Sequence, residues 1–482
     1  MGPVAKTILI VLAIILFPLL VALVRTLLMP NKESHYTAEN ADKDEAMRLA
    51  EKLSKMIQCN TTSHENQTDI DCYLDFHKTL EKLFPLVNSK LERTIIDGNL
   101  LYKWKGKSDE KPILLMSHQD VVPAEGEWNH EPFGGEISEG RVWGRGASDT
   151  KASLMCLFEA AEQLLAEGYE PECDVYLASS CTEEWAGTGA PKIVEELKRR
   201  GVRLFLLCDE GGGIITEPIG GIPGNFAMVG VFEKGKADVK FTARSNGGHA
   251  SAPSKNTPIA RLADFVNEFE HKNPFKRKFM PEVSAMFAKL APYAPFGLKL
   301  VMGNLWLFAP IMKKVMPSVS AQAGAMLQTT IGFTMQSGAD AYNVIPQEAT
   351  LGANMRFIPH QGEKESLEIV NKLAKKYDLE VEVVHSNDYT KSVDINGEGY
   401  HIIEDVLAET FEGLPSSPYV MTGATDAQFY ECICDNCIRF APVVFGPEQL
   451  ASIHGLNENI EYNCLPGAVK FYQNLIRAQK RD

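Results

Sequence analysis

The sequence predicts an α/β fold in which a mainly parallel, mixed sheet carries helices on both faces. Short apolar runs typical of buried strands occur at 113–116, 175–180 and 204–207. Segments with helical spacing of apolar residues occur at 153–167 and 190–200. Strands that alternate with helices form parallel sheets covered on both faces, and this alternation therefore sets the predicted fold class.

Residues 1–30 differ from the rest of the chain because 8–24 contain no polar side chain, with Lys6 before this run and Arg25 after it. A helix needs about 17–25 apolar residues to span a bilayer, so 1–30 are predicted to form a membrane-spanning signal anchor. We expect the part of the chain that follows this helix to lie outside the cytoplasm. A cleaved signal peptide, which would release a secreted protein, is the alternative.

The remaining chain is predicted to form two domains after a polar linker at 31–40. The larger domain comprises 41–228 and 388–482, and a smaller α+β domain at 229–387 is inserted between these two parts. Two strand–helix halves in the inserted domain predict a ferredoxin-like layer. Its segment 273–328 is rich in Met, Phe, Leu and Pro. We expect this insertion to roof an apolar cleft, to contact a membrane surface or simply to pack against the domain.

Charge and composition exclude one class of partner. The 482 residues carry a formal net charge of −15 and contain no basic block. Nucleic-acid binding requires a basic face, so we expect no nucleic-acid partner. The membrane, through the N-terminal helix, and a small substrate are the partners that the sequence favours.

Several of the apolar runs end in side chains that bind metals. In an open α/β fold, ligands bind beyond the carboxyl ends of the strands. Each of these residues alone is also typical of a turn or a helix cap. Together, two imidazoles and several carboxylates suit zinc, and five ligands with one shared carboxylate suit a pair of metal ions. The candidate ligands are His118, Asp149, a carboxylate of the pair Glu183 and Glu184, a carboxylate of the pair Asp209 and Glu210, and His454.

Six motifs occur in a fixed order along the chain: SHQDVVP, GRGASDTK, TEEWAGTGA, DEGGG, GGHASAP and YNVIP. With these motifs, the chain from about residue 42 to its end resembles the two-zinc aminoacylase and carboxypeptidase family of clan MH metallopeptidases. This resemblance implies a zinc-exopeptidase type of fold with an inserted lid domain. Within the family the chain is most similar to the carboxypeptidase S and N-acyl-amino-acid hydrolase branch, which the segment NLWLF at 304–308 also resembles.

The resemblance implies a role for each candidate ligand. Asp149 bridges two zinc ions, for which cobalt or manganese ions are alternatives. His118 and Asp209 complete one site, and Glu184 and His454 complete the other. The resemblance also implies a cis peptide bond directly after the bridging aspartate.

Two further carboxylates are implied to act beside the metals. Glu183 is the general base, and Asp120 orients the ring of His118. The chemistry agrees, because a carboxylate next to a metal ligand can take a proton from the attacking water and deliver it to the leaving amine. A carboxylate behind a ligating histidine fixes the tautomer of that ring.

Three residues of the lid are implied to contact the substrate. His249 stabilises the developing oxyanion, and Asn343 and Arg356 hold the substrate carboxylate. An arginine binds a carboxylate through two parallel hydrogen bonds, which a lysine cannot reproduce. Without the resemblance, a turn histidine would be the favoured explanation for His249, and a surface arginine would be a common explanation for Arg356. The lid is also expected to form a homodimer.

The sequence therefore predicts a zinc-dependent metallohydrolase that cleaves an amide or peptide bond adjacent to a free carboxylate. Its substrate is a small peptide or an N-acyl amino acid, so the enzyme is a carboxypeptidase, a dipeptidase or an N-acyl-amino-acid hydrolase. An enzyme that hydrolyses or synthesises N-fatty-acyl amino acids is the alternative. A non-catalytic binding module is disfavoured because such a module would be expected to lose ligands, and all of them are present.

Overall fold

A computed structural model describes residues 2–65, 67 and 69–479. The strands are β1 (Glu92–Ile96), β2 (Asn99–Trp104), β3 (Ser108–Met116), β4 (Glu136–Ser138), β5 (Arg141–Trp143), β6 (Cys173–Ser179), β7 (Leu206–Thr216), β8 (Asn225–Glu233), β9 (Gly235–Arg244), β10 (Gly248–His249), β11 (Thr330–Ser337), β12 (Val344–Ile345), β13 (Glu348–Phe357), β14 (Glu380–Asn387), β15 (Ser416–Met421), β16 (Cys437–Phe445) and β17 (Asn459–Glu461).

The helices cover both domains and the N-terminal segment. They are α1 (Pro3–Leu28), α2 (Lys43–Ile57), α3 (Asp71–Leu83), α4 (Pro85–Lys90), α5 (Ala152–Ala166), α6 (Gly189–Arg199), α7 (Pro258–His271), α8 (Pro281–Leu290), α9 (Phe296–Met302), α10 (Leu305–Val319), α11 (Ala321–Ala325), α12 (Glu363–Lys376), α13 (Glu398–Thr410), α14 (Ala427–Tyr430), α15 (Pro447–Ser452) and α16 (Leu465–Arg477).

The central sheet has the strand order β1-β2-β6-β3-β7-β16-β8-β15. Strand β3 pairs in parallel with β6 and β7, and two further neighbouring pairs, β7–β16 and β8–β15, are also parallel. The pairs β1–β2 and β2–β6 are antiparallel, as is the short contact between β16 and β8. The predicted α/β fold with a mixed sheet is therefore confirmed.

Alternate residues of each strand point to opposite faces of the central sheet. Residues on both faces are buried. On β3, Ile113 and Leu115 belong to the large core that contains α5 and α16, whereas Leu114 and Met116 belong to a second core under α6. The buried apolar run at 113–116 is thus explained by helices on both faces.

A second sheet has the order β11-β13-β9-β14, and all of its pairs are antiparallel. Helices α7 and α12 pack on it, and Phe241, Phe265 and Phe269 form the centre of its own apolar core. The chain order of these strands and helices is β-α-β-β-α-β, which is that of a ferredoxin-like layer.

Helices α8 to α11 form the apolar insertion beside these two sheets. Helix α8 packs against β15 at the edge of the central sheet, and α1 packs against α9. The side-chain amide of Asn304, just before α10, donates a hydrogen bond of 3.0 Å to the hydroxyl of Thr26 in α1. The ammonium group of Lys299 donates to the carbonyl of Pro30. The insertion therefore joins the N-terminal helix to the catalytic domain.

Among the residues described above, no helix is both long enough and apolar enough to cross a membrane. The predicted membrane-spanning anchor at 1–30 is therefore unsupported, although 3–28 are helical. The extracytoplasmic location and the homodimer stay predictions.

Candidate metal centre

The central sheet brings the predicted site residues to one edge. His118 follows β3, Glu183 and Glu184 follow β6, and Glu210 lies within β7, whose first half pairs in parallel with β3. Because neighbouring parallel strands end at the same edge of a sheet, these side chains meet there. Asp149, between β5 and α5, and His454, two residues after α15, approach the same edge from two loops.

Asp149 stands between two groups of potential metal ligands. Its Oδ1 lies 3.0 Å from Nε2 of His118, and its Oδ2 lies 3.0 Å from Nε2 of His454. Glu210 completes the first group with His118, and Glu184 completes the second with His454, at 3.1 Å between Oε2 and Nε2. Within each group the ligand atoms lie within 4.8 Å of one another. The two oxygens of one carboxylate thus face two different groups, as a bridging ligand requires.

The structure corrects one predicted ligand, because Asp209 does not belong to either group and Glu210 does. The carboxylate of Asp209 accepts hydrogen bonds from the backbone N–H groups of Glu210, at 2.8 Å, and Ala427, at 2.9 Å. Successive side chains of a strand point to opposite sides, so only one of these two neighbours on β7 can face His118. The Oε1 atom of Glu210 lies 3.9 Å from Nε2 of His118.

The donor set fits divalent cations. Within the described part of the chain, Oε1 of Glu184 is buried and has no hydrogen-bond partner. Burial raises the pKa values of Glu184 and Glu210, and nearby carboxylates raise them further. A buried carboxylate oxygen without a partner is costly, and a cation bound beside it removes that cost. Two imidazoles and three carboxylates are ligands that zinc accepts.

Hydrogen bonds distinguish Asp149 from the other carboxylates of the site. Burial alone would raise its pKa, but hydrogen bonds from His118 and His454 lower the pKa below its usual range. The same pairing raises the pKa of His454 to about 10. Asp149 is therefore ionised, as a ligand shared by two cations must be.

Glu183 lies beside the first group without belonging to it. Its Oε2 is 4.0 Å from Nε2 of His118. Its pKa is raised well above the ordinary value, chiefly by burial, and the charges of Glu210 and Asp426 add to this effect. A carboxylate with a raised pKa near a metal pair can accept and later release a proton at neutral pH.

Asp120 supports both His118 and the segment that carries Glu183. The backbone carbonyl of Asp120 lies 2.9 Å from Nδ1 of His118, closer than its carboxylate, which lies at 3.5 Å. The carboxylate accepts hydrogen bonds of 3.2 Å from the backbone N–H groups of Glu183 and Glu184. Asp120 therefore orients the histidine mainly through its carbonyl and holds the glutamate pair through its side chain.

Two residues that the sequence analysis missed, Glu458 and Arg145, hold the loop of Asp149. The buried carboxylate of Glu458 accepts hydrogen bonds from the backbone N–H groups of Gly146, Ser148 and Asp149, at 3.0, 2.8 and 2.9 Å. It also pairs with Arg145 at 2.7 Å, which in turn donates to the carbonyl of Gly455, next to His454. Only the nearness of Glu458 to His454 in sequence signals this role.

The peptide bond between Asp149 and Thr150 is cis, as predicted. It follows the residue whose two carboxylate oxygens face the two ligand groups.

The structure places the predicted substrate residues on the second sheet and beside it. His249, on β10, and Asn343, next to β12, are exposed neighbours, since the carbonyl of Asn343 accepts a hydrogen bond of 2.9 Å from the N–H of Ala250. Arg356, on β13, is half-buried and donates a hydrogen bond of 3.1 Å to the side chain of Asn354. Among the described residues, none of the three forms a hydrogen bond with the two ligand groups.

Comparison with known proteins identifies relatives over nearly the whole chain. Residues 114–478 match the model of peptidase family M20/M25/M40. The chain is 34% identical over 478 residues to the N-fatty-acyl-amino acid synthase/hydrolase PM20D1 of Xenopus tropicalis, covering 96% of this chain and 93% of the relative. It is 28% identical over 495 residues to carboxypeptidase S of Saccharomyces cerevisiae, covering 88% and 83%.

Two solved structures share the fold. The M20 family metallo-carboxypeptidase Sso-CP2 of Sulfolobus solfataricus aligns with a TM-score of 0.67 at 18% identity, covering 90% of this chain and 98% of the other. The YXEP protein of Bacillus subtilis, described as a dinuclear metal-binding peptidase of the M20 family, aligns with a TM-score of 0.55 at 14% identity, covering 90% and 98%.

Proposed function

The chain belongs to peptidase family M20/M25/M40, and from this membership we propose that it is a two-metal hydrolase that cleaves an amide bond next to a free carboxylate. The observation that carries the proposal is the position of Asp149, whose Oδ1 and Oδ2 each lie 3.0 Å from a different histidine. His118 and Glu210 would hold one cation, Glu184 and His454 the other, and Asp149 both. We propose zinc as the metal, since two imidazoles and three carboxylates suit it.

The residues around the metals supply the proton transfers. Bound there, the two cations would polarise the scissile carbonyl and lower the pKa of the attacking water. Glu183 takes a proton from that water and delivers it to the leaving nitrogen, a transfer that its position beside His118 and its raised pKa support. Asp120 keeps Glu183 and His118 in position through its carboxylate and its carbonyl.

The inserted domain is proposed to bind the carboxylate end of the substrate. Arg356 would form two hydrogen bonds with the substrate carboxylate, supported by Asn343, and His249 would stabilise the charge that develops on the scissile carbonyl oxygen. Burial lowers the pKa of Arg356, and the partly desolvated guanidinium group gains from a carboxylate partner. The substrate is then a small peptide or an N-acyl amino acid.

The relatives favour one of these substrate classes. A relative 34% identical over nearly the full length is named an N-fatty-acyl-amino acid synthase/hydrolase, whereas the relative named carboxypeptidase S is 28% identical. We therefore propose an N-acyl amino acid as the main substrate, with hydrolysis or synthesis as the direction of the reaction. A peptide substrate is the second candidate.

The test is turnover by the purified, zinc-loaded full chain against dipeptides and N-acyl amino acids. We expect Glu183→Gln to lower kcat by about 100-fold or more, because general-base catalysis contributes about 10²–10⁴ to the rate. Metal content, measured by plasma mass spectrometry, stays at two ions per chain. Glu195→Gln, at an exposed position on α6, is the matched control and should retain full activity.

Two results would contradict the proposal. Unchanged turnover in Glu183→Gln would remove that residue from its role, and absence of turnover on every substrate of both classes would remove the function. Amidation of the substrate carboxylate should raise KM strongly, and equal KM values for the free and amidated substrates would exclude Arg356 as its receptor.

A further inference from the structure

Acidic side chains are absent from two long stretches of the sequence. Residues 1–32 and 283–339 contain no Asp or Glu, although the whole chain has 63 of them. The two stretches contain seven basic residues, which are Lys6, Arg25, Lys32, Lys289, Lys299, Lys313 and Lys314. They contribute +7 to a chain whose formal net charge is −15, so the remainder carries −22. Charge is therefore strongly segregated along the chain.

The fold brings these two stretches together, because α1 packs against α9 of the insertion. The buried amide of Asn304 donates hydrogen bonds to the hydroxyl of Thr26, at 3.0 Å, and to the carbonyl of Ala22, at 3.3 Å. The helices approach closely here, since a Cβ atom at Gly303 would lie only 2.6 Å from the side chain of Met29. The residues without acidic neighbours in sequence thus form one structural unit.

This unit exposes large apolar side chains on both of its helices. On α10, Ile311, Val315 and Val319 follow one another at intervals of four residues, so they lie along one side of the helix. Val319 is 78% exposed, and Trp306 in the first turn is 53% exposed. The exposed apolar residues of α1 include Leu16, Phe17, Leu20, Leu27 and Leu28. An apolar patch of this extent in contact with water indicates an interaction site.

Basic side chains accompany the apolar ones. Arg25, Lys32 and Lys314 are exposed, and Lys313 is partly exposed. Within the part of the chain that the structure describes, none of these four forms an ion pair, whereas Lys289 of the same insertion pairs with a glutamate of α13. Two copies of the chain that met through this surface would bring their cations together, which disfavours a dimer here. Apolar side chains flanked by cations instead complement a bilayer whose headgroups are anionic.

We propose that the docking surface, formed by α10 and residues 16–32, binds a lipid bilayer that carries anionic headgroups. The apolar side chains enter the boundary between headgroups and acyl chains, and the cations contact the headgroups. Trp306 suits this depth, because its ring is apolar and its N–H group already donates a hydrogen bond of 3.2 Å to Asn304. The contact requires no helix to cross the bilayer, and it is independent of the chemistry at the metal centre.

The first test measures binding of the full chain to vesicles by flotation. Binding to vesicles of phosphatidylcholine and phosphatidylserine should be at least about tenfold stronger than to phosphatidylcholine alone, and high salt should weaken it. Lys313→Glu with Lys314→Glu should weaken binding to the anionic vesicles about 25-fold or more, since each basic side chain near such a surface contributes about fivefold. Lys372→Glu with Lys375→Glu, at exposed positions on α12, makes the same change in net charge and should bind like the unaltered chain.

The second test removes apolar surface and leaves the charge unchanged. Ile311→Ser on α10 should weaken binding to the anionic vesicles about tenfold or more, because the bilayer no longer buries an isoleucine side chain. Val384→Ser on β14 is the matched control and should bind like the unaltered chain. The two positions are similarly exposed, at 61% for Ile311 and 65% for Val384, so neither substitution removes a core contact.

Three results would overturn the inference. The first is equal binding to the two kinds of vesicle, and the second is an equal effect of either variant and its control. The third is a dimer of the full chain that Lys313→Glu with Lys314→Glu dissociates, together with no binding to vesicles, because a second copy would then cover the docking surface. All of these measurements concern binding alone, so their failure leaves the proposed hydrolase to be decided by turnover.

Discussion

At the scale of single residues, two neighbouring carboxylates differ in what they contact. Asp209 uses both oxygens to accept backbone N–H groups, so it stabilises the turn into α14. Glu210 points to the other side of β7 and faces His118. Which of the two could bind a metal thus depends on the side of the strand on which each lies, and the second residue of the pair is the one that faces His118.

Separate substitutions of Asp209 and Glu210 test this difference between the two side chains. Glu210→Gln should lower the metal content from two ions per chain towards one, because the first group keeps only His118 and the shared carboxylate of Asp149. Asp209→Asn should keep two ions and lower the melting temperature, since one of its hydrogen bonds to a backbone N–H is lost. Plasma mass spectrometry of the dialysed variants measures their metal content, and calorimetry measures their melting temperature. Loss of metal in Asp209→Asn with retention in Glu210→Gln would reverse the assignment.

The sequence predicted most residues of this site, but it did not distinguish the correct carboxylate within one neighbouring pair. Four of the five predicted ligands lie in the two groups: His118, Asp149 and Glu184 belong to distinct motifs, and His454 was implied by the family resemblance. The motif DEGGG contains both Asp209 and Glu210, and only the orientation of β7 decides between them. Glu458 has no motif of its own, and its role depends on a contact across 309 residues of chain.

At the scale of elements, two loops are joined by one buried carboxylate. Glu458 binds three backbone N–H groups of the segment that carries Asp149, and Arg145 links that segment to Gly455 beside His454. Groups that hold metal ligands in position commonly contribute about 10–100-fold to metal affinity. The loops therefore need Glu458 in order to present the shared ligand.

We predict that Glu458→Gln weakens zinc binding about 10–100-fold. In this variant an N–H₂ group replaces one carboxylate oxygen, and it cannot accept the hydrogen bonds that the backbone N–H groups donate to that oxygen. Glu461→Gln is the matched control, since Glu461 is an exposed carboxylate three residues away. Competition with a chelating dye measures the affinity of each variant. Equal affinities for the two variants would show that the loop is held by other contacts.

Element boundaries were predicted less well than element types. The run at 204–207 predicted a short strand, but β7 continues to Thr216 through three consecutive glycines. The insertion at 273–328 gave no defined element, and the structure contains α10 within it although Pro310 and Pro317 lie inside this helix. Proline commonly interrupts helices, so tertiary packing rather than local preference sets this helix.

At the scale of the whole molecule, the metal centre concentrates buried charge. Burial raises the pKa of Asp209 to about 6 and that of Asp426 to about 8, and pairing with Asp149 and Glu184 raises that of His454 to about 10. All three groups bind more protons in the folded than in the unfolded protein at neutral pH. The stability of the metal-free protein therefore falls as the pH rises from about 5.5 to 8.

Zinc should oppose the part of this dependence that comes from His454, because a cation bound between Asp149, Glu184 and His454 takes the place of the proton on that imidazole. We predict that the rise in melting temperature on addition of zinc is larger at about pH 8 than at about pH 5.5. Calorimetry of the full chain with and without zinc, at the same free zinc concentration for both pH values, measures this rise in melting temperature. An equal rise at both pH values would mean that His454 does not lie beside a cation.

The contact between Asn304 and Thr26 has a mechanical consequence. These residues are 278 positions apart, and Asn304 directly precedes α10, a helix that lines a cavity of about 600 Å³ within the apolar insertion. Helix α10 is therefore coupled to α1, so a displacement of α1 would move one wall of this cavity. The space enclosed by the insertion helices then depends on where α1 is seated.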